Sequence, residues 1–78
     1  MLSLLLVLYF MYLLKIKGTS RISDYVQIRD ESFTLIAYFK ADKPEKAIIK
    51  FELFSYKKEI IDAIKSAKYG KIFKINNT

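Results

Sequence analysis

From Met1 to Leu14 the chain carries no charged residue, and Ser3 is the only small polar side chain among them. A segment this apolar is buried either in lipid or in protein. A helix drawn through it has no polar stripe, so it is not the amphipathic helix of a membrane surface. The pattern predicts a membrane-anchor helix over residues 1–17, with Leu4, Leu5, Leu6, Val7, Leu8, Phe10, Leu13 and Leu14 facing lipid. Such a helix is short. About 14–16 residues at ~1.5 Å each reach roughly 21–24 Å, against a hydrocarbon core of ~30 Å. Lysine snorkelling by Lys15 and Lys17, with Tyr9, Phe10 and Tyr12 near the interface, narrows the gap.

Two other readings compete. A cleaved signal peptide fits the apolar length and the small residues Gly18, Thr19 and Ser20, but it needs a basic segment in front. Here the cations Lys15, Lys17 and Arg21 follow the apolar run. That order favours a retained single-pass anchor with the C-terminal part on the cytoplasmic, stromal or matrix side. The third reading is a helix buried in the protein's own core or a partner's.

After a linker at residues 18–21 the period changes. Ile22 to Ile28 alternates in steps of two, the signature of a half-buried strand. Asp30, Glu31 and Ser32 make a turn. Phe33 to Lys40 is β-branched and aromatic on nearly both faces and predicts a central strand. Pro44 and Asp42 mark a loop, and Ala47 to Phe54 alternates again, predicting a third strand. From Ser55, a candidate N-cap, Ile60, Ile61, Ile64 and Ala67 form one helical stripe. Gly70 marks a stop, Lys71 to Ile75 a last strand, and residues 76–78 a tail. The expected fold is α+β: a hydrophobic helix, then a β-β-β-α-β domain over residues 22–75, with an antiparallel sheet and one packed helix. The expected core is Val26, Ile28, Leu35, Phe39, Ile49, Phe51, Leu53, Ile60, Ile61 and Ile64. In this arrangement Ile36 and Tyr38 lie on the uncovered side of their strand, where a partner is expected to dock.

Most catalytic chemistry has no residues to work with. The sequence has no Cys and no His, so Ser-His-Asp and Cys-His arrangements cannot be written, nor can the usual zinc, haem and iron–sulfur ligand sets. With two glycines in the chain, the phosphate-cradling Gly motifs are absent too. Asp30 with Glu31 and Glu59 with Asp62 are surface pairs rather than tuned acids. No enzyme, cofactor, metal or small-molecule substrate is inferred.

The formal net charge is +6. After Asp62 every charge is positive: Lys65, Lys68, Lys71 and Lys74, with Tyr69 and Phe73 interleaved. Lysines near a helix C-terminus suit its dipole; they also suit anionic headgroups, an acidic partner or phosphates. Lys68 to Phe73 resembles part of the aromatic RNA-binding signature of the RNA recognition motif, without its leading Gly. The function expected from the sequence is a small accessory or structural subunit, membrane-anchored and docking on a larger membrane protein complex. A membrane-tethered nucleic-acid-binding module is the alternative, and a secreted domain the third.

Overall fold

The computed structural model describes residues 10–76. Four strands form one antiparallel sheet: β1 (Phe10–Ile16), β2 (Tyr25–Arg29), β3 (Leu35–Lys40) and β4 (Ile72–Asn76). Two helices, α1 (Pro44–Lys50) and α2 (Lys57–Ser66), lie between β3 and β4 in sequence. The spatial order is β3-β2-β1-β4. The α+β class, the antiparallel sheet and the packed helix are as the sequence predicts.

The first correction concerns Phe10 to Ile16. These residues are an inner strand, paired with β2 on one side and β4 on the other. Phe10, Leu13 and Leu14 are therefore sheet residues and not helical anchor residues. Met11 and Leu13 are fully buried beneath the helices, while Tyr12 and Leu14 point to the other face and are half-buried. An inner strand covered on one side and partly screened on the other reads as a continuous apolar run, as a lipid-facing helix does. Among the described residues no helix is long and apolar enough to cross a membrane. Leu4, Leu5, Leu6, Val7 and Leu8 lie outside the described residues.

The second correction is α1. Residues 47–50 were expected in a strand and are helical instead. Pro44 stands in the first turn, where its missing N–H costs nothing and its fixed φ suits the helix. Glu45 and Lys50 sit at the ends that the helix dipole favours. The helix closes in a Schellman turn: Leu53 N–H donates to the Ile48 carbonyl and Glu52 N–H to that of Ile49. Glu52 takes the left-handed position, φ 58°, that glycine usually fills. This turn buries Ile48 and Leu53 together and leaves Ile49 66% exposed.

β3 is an edge strand rather than a central one, and a bulge beside Ile28 and Arg29 shifts its register. The bulge separates Leu35, which is exposed, from Ile36, which packs against the core. α2 follows a single 3₁₀ turn, Phe54–Tyr56, and no side-chain cap precedes it, so Ser55 is not its N-cap. Its stripe buries Ile60, Ala63 and Ile64. The exposed Lys58–Asp62 pair, 2.9 Å apart, joins successive turns of α2 where water screens it.

The core is entirely apolar: among the described residues no polar or charged side chain is buried. Leu13 sits at its centre, so Leu13→Ala is expected to destabilise the fold by about 2–5 kcal/mol. Urea titration of the chain in aqueous buffer checks this. A variant as stable as the parent would place Leu13 outside the core.

Candidate functional site

The helices cover one face of the sheet. The opposite face has no element over it among the described residues. The pairing fixes its rows. Lys40, Tyr25 and Ile16 form one; Tyr38, Gln27, Leu14 and Ile72 the next; Leu35, Arg29, Tyr12 and Lys74 the third; Phe10 and Asn76 the last. Tyrosines and cations alternate with aliphatics, and no carboxylate is present in any row.

The rings gather in two groups. Tyr25 and Tyr38 stack across β2 and β3, with centroids 4.8 Å apart and planes at 25°. Tyr12 meets Phe10 and Phe33 edge-on, both at 5.4 Å. Phe33 comes from the β2–β3 turn and has φ 65°, a left-handed conformation unusual for a bulky side chain. Asp30 holds the turn: its Oδ1 accepts the N–H groups of Ser32 and Thr34, each at 2.9 Å. With no glycine available, Phe33 takes the strained position, and its ring is carried to the edge of the open face.

Cations lie against these rings. Lys74 Nζ is 4.2 Å from the Phe10 centroid, and the Arg29 guanidinium is 4.7 Å from that of Phe33. Arg29 donates through Nη1 to the Phe33 carbonyl and through Nη2 to Gln27 Oε1. Its Nε has no acceptor among the described residues.

The residues singled out from the sequence separate here. Tyr38 is on the open face, 49% exposed, whereas Ile36 turns to the core at the bulge. Of the four C-terminal lysines only Lys74 reaches the open face. Lys65 is on α2, and Lys68 and Lys71 both lie in the connection from α2 to β4. Tyr69 and Phe73, the aromatics of the resemblance, are not on this face either: Phe73 packs toward the core. The face had a partial signal in the sequence, the polar and aromatic alternates of Tyr25, Gln27 and Arg29. Tyr12 and Phe10 were hidden in the run read as an anchor.

Tyr69 belongs to a second cluster, at the end of the sheet where the β1–β2 loop meets the α2–β4 connection. Its hydroxyl donates to Asp24 Oδ2 at 2.6 Å, and Gly18 N–H donates to Oδ1 at 2.7 Å. Lys15 Nζ lies 4.7 Å from the Tyr69 ring centroid and donates to the Ile64 carbonyl at 2.9 Å. Lys17 approaches the same ring at 5.9 Å. Gly70, at φ 73°, turns its N–H onto the Lys15 carbonyl at 2.8 Å. A Cβ at Gly18 would fall 1.9 Å from the Ile22 carbonyl oxygen, so residues 18–21 form a tight turn. Arg21 lies in it with its N–H on Thr19 Oγ1. Lys15 and Lys17, assigned to topology from the sequence, here clasp two loops.

The electrostatics of this clasp suit structure better than catalysis. The Tyr69 hydroxyl, then the Gly18 N–H, hold the Asp24 carboxyl below its usual range. The Asp24 hydrogen bond pushes the Tyr69 phenol up. Both groups move away from neutrality, the opposite of what acid–base work near pH 7 requires. Among the described residues no group of three or more His, Cys, Asp or Glu side chains could hold a metal. The chain matches no known family model, and no curated protein or solved structure is significantly similar to it.

Because the folded Asp24 pKa is depressed, its contribution to stability is complete above the unfolded value, about 4, and is lost as pH falls through the lower folded value. Asp24→Asn is therefore expected to flatten the dependence of stability on pH below about 4. Thermal melts between about pH 2 and 6 on both proteins check this; identical acid slopes would mean that the clasp contributes nothing.

Proposed function

We propose that this chain is a small, non-enzymatic binding module whose working surface is the uncovered face of its sheet. The observation that carries the reading is the composition of that face: clustered rings and cations, no carboxylate, and no covering element among the described residues. An uncovered sheet face on a unit this small ordinarily alternates to polar side chains. Here it keeps Tyr12, Leu14, Tyr25, Tyr38 and Ile72 instead, the residue types that mark contact surfaces rather than solvated ones. The strained Phe33, held at the edge of the same face, points the same way.

The accessory-subunit reading from the sequence is carried forward here in altered form. The anchor was expected to run through Leu14, and Phe10–Ile16 is spent on the sheet; docking was expected at Ile36 and Tyr38, of which Tyr38 lies on the open face. An anchor helix as expected from the sequence would have to lie outside Phe10–Ile16; binding through the sheet face is independent of it.

Tyr38 and Tyr69 form an internal comparison, being 49% and 45% exposed. Only Tyr38 lies on the proposed surface. Hydroxyl-radical labelling is expected to modify both rings in the purified chain. In native extract it should modify Tyr38 several-fold less and Tyr69 unchanged. Equal labelling of Tyr38 in both settings would contradict the proposal.

A further inference from the structure

The chemistry of the open face narrows the class of partner, granted that this face is the binding surface. Its two ring groups stand at opposite corners. From the strand spacing and the rise per residue, Tyr12 lies roughly 12–14 Å from Tyr25 and Tyr38. Each group has a cation beside it. Lys40 is the register partner of Tyr25, and Lys74 that of Tyr12. Arg29 lies between, its guanidinium held on the Phe33 ring by bonds to the Phe33 carbonyl and Gln27. Gln27 adds a side-chain amide near the centre of the face.

A polyanion with flat, stackable groups at intervals matches this layout. Bases stack on tyrosine rings regardless of sequence, and phosphates seek the neighbouring cations. An absent carboxylate removes the repulsion that a phosphate chain would meet. Double-stranded nucleic acid fits poorly, because its major groove is entered by a helix or a two-stranded ribbon and not by a broad sheet face. Among the described residues the helix side is mixed in charge: exposed Phe54 there lies among Lys57, Lys58, Glu59 and Asp62, charges of both signs.

We infer that the open sheet face binds single-stranded nucleic acid, with Tyr38 and Tyr12 as stacking platforms and Arg29, Lys40 and Lys74 as phosphate contacts. The site differs from the C-terminal lysine block that the sequence suggested; Lys74 alone is shared.

The test is fluorescence anisotropy of the full chain with labelled single strands of roughly 12 nucleotides, RNA and oligo-dT, at about 50 and 200 mM salt. Three phosphate contacts on a single strand predict a log–log salt slope near −2, so binding weakens roughly 20-fold between those concentrations. Tyr38→Ala should weaken binding about fivefold or more, through lost stacking. Lys65→Ala, on the helix side, should leave it unchanged. Thermal melts establish that each variant is folded.

No binding below about 100 μM at the lower salt would overturn the inference. If Tyr38 were still shielded in native extract, the face would remain a docking surface, for a protein or for lipid. Tyr38-dependent binding to anionic vesicles, without oligonucleotide binding, would assign it to lipid. Oligonucleotide binding that ignores Tyr38→Ala and falls with Lys65→Ala would also overturn it, placing the contact on the C-terminal lysines.

Discussion

Everything in this fold hangs on the pairing of Phe10–Ile16 with strands on both sides. Among the described residues β4 has no other neighbour in the sheet, and β2 is held between β1 and the bulged edge strand β3. Met11 and Leu13 supply two of the fully buried side chains under the helices. A unit of this size has little interior to spare, and with no Cys in the chain it has no disulfide to fall back on. The loops reinforce the same strand. Lys15 contributes a carbonyl to Gly70, an ammonium to Ile64 and a cation over Tyr69. The end of β1 is thus fastened to the start of β4 and to the end of α2.

Placing an apolar strand at the centre also determines what lies on the far side. Strand geometry sends Met11 and Leu13 into the core and Tyr12 and Leu14 out of it. Since both helices are on one side, the alternates of all four strands share one open face. Its aromatic and basic character is therefore a consequence of register. A slip of one residue in β1 would bury Tyr12 and expose Leu13. The same pairing that builds the core assembles the candidate site.

Parts of this were legible in the sequence. The β2–β3 hairpin, the Ile60 and Ile64 stripe of α2, and β4 follow from periodicity and turn residues. Val26, Ile28 and Phe39 are buried as their spacing predicts, whereas Leu53 is buried by the turn that closes α1. The failures have physical causes. An apolar run gives the same hydropathy signal in an inner strand and in a lipid-facing helix, and the loop clasp that Lys15 and Lys17 serve leaves no mark in the sequence. At the end of α1 and in the turn after it, Ile49, Phe51 and Leu53 fall in steps of two by coincidence. The decisive signals there were Pro44, Glu45 and Lys50 at helix-favoured ends. The bulge that moves Ile36 away from Tyr38 has no sequence mark. The open face could not be recognised while Phe10 and Tyr12 were assigned to lipid.

The most direct test of the account is amide hydrogen exchange on the full chain in aqueous buffer, read at Met11 to Lys15. An inner strand predicts that these amides exchange as slowly as those of Val26 and Ile28, by global unfolding. Fast exchange across Met11 to Lys15, with Val26 and Ile28 still protected, would contradict it: β1 would then not be the centre of the sheet, and the open face would lose Tyr12 and Phe10 with it.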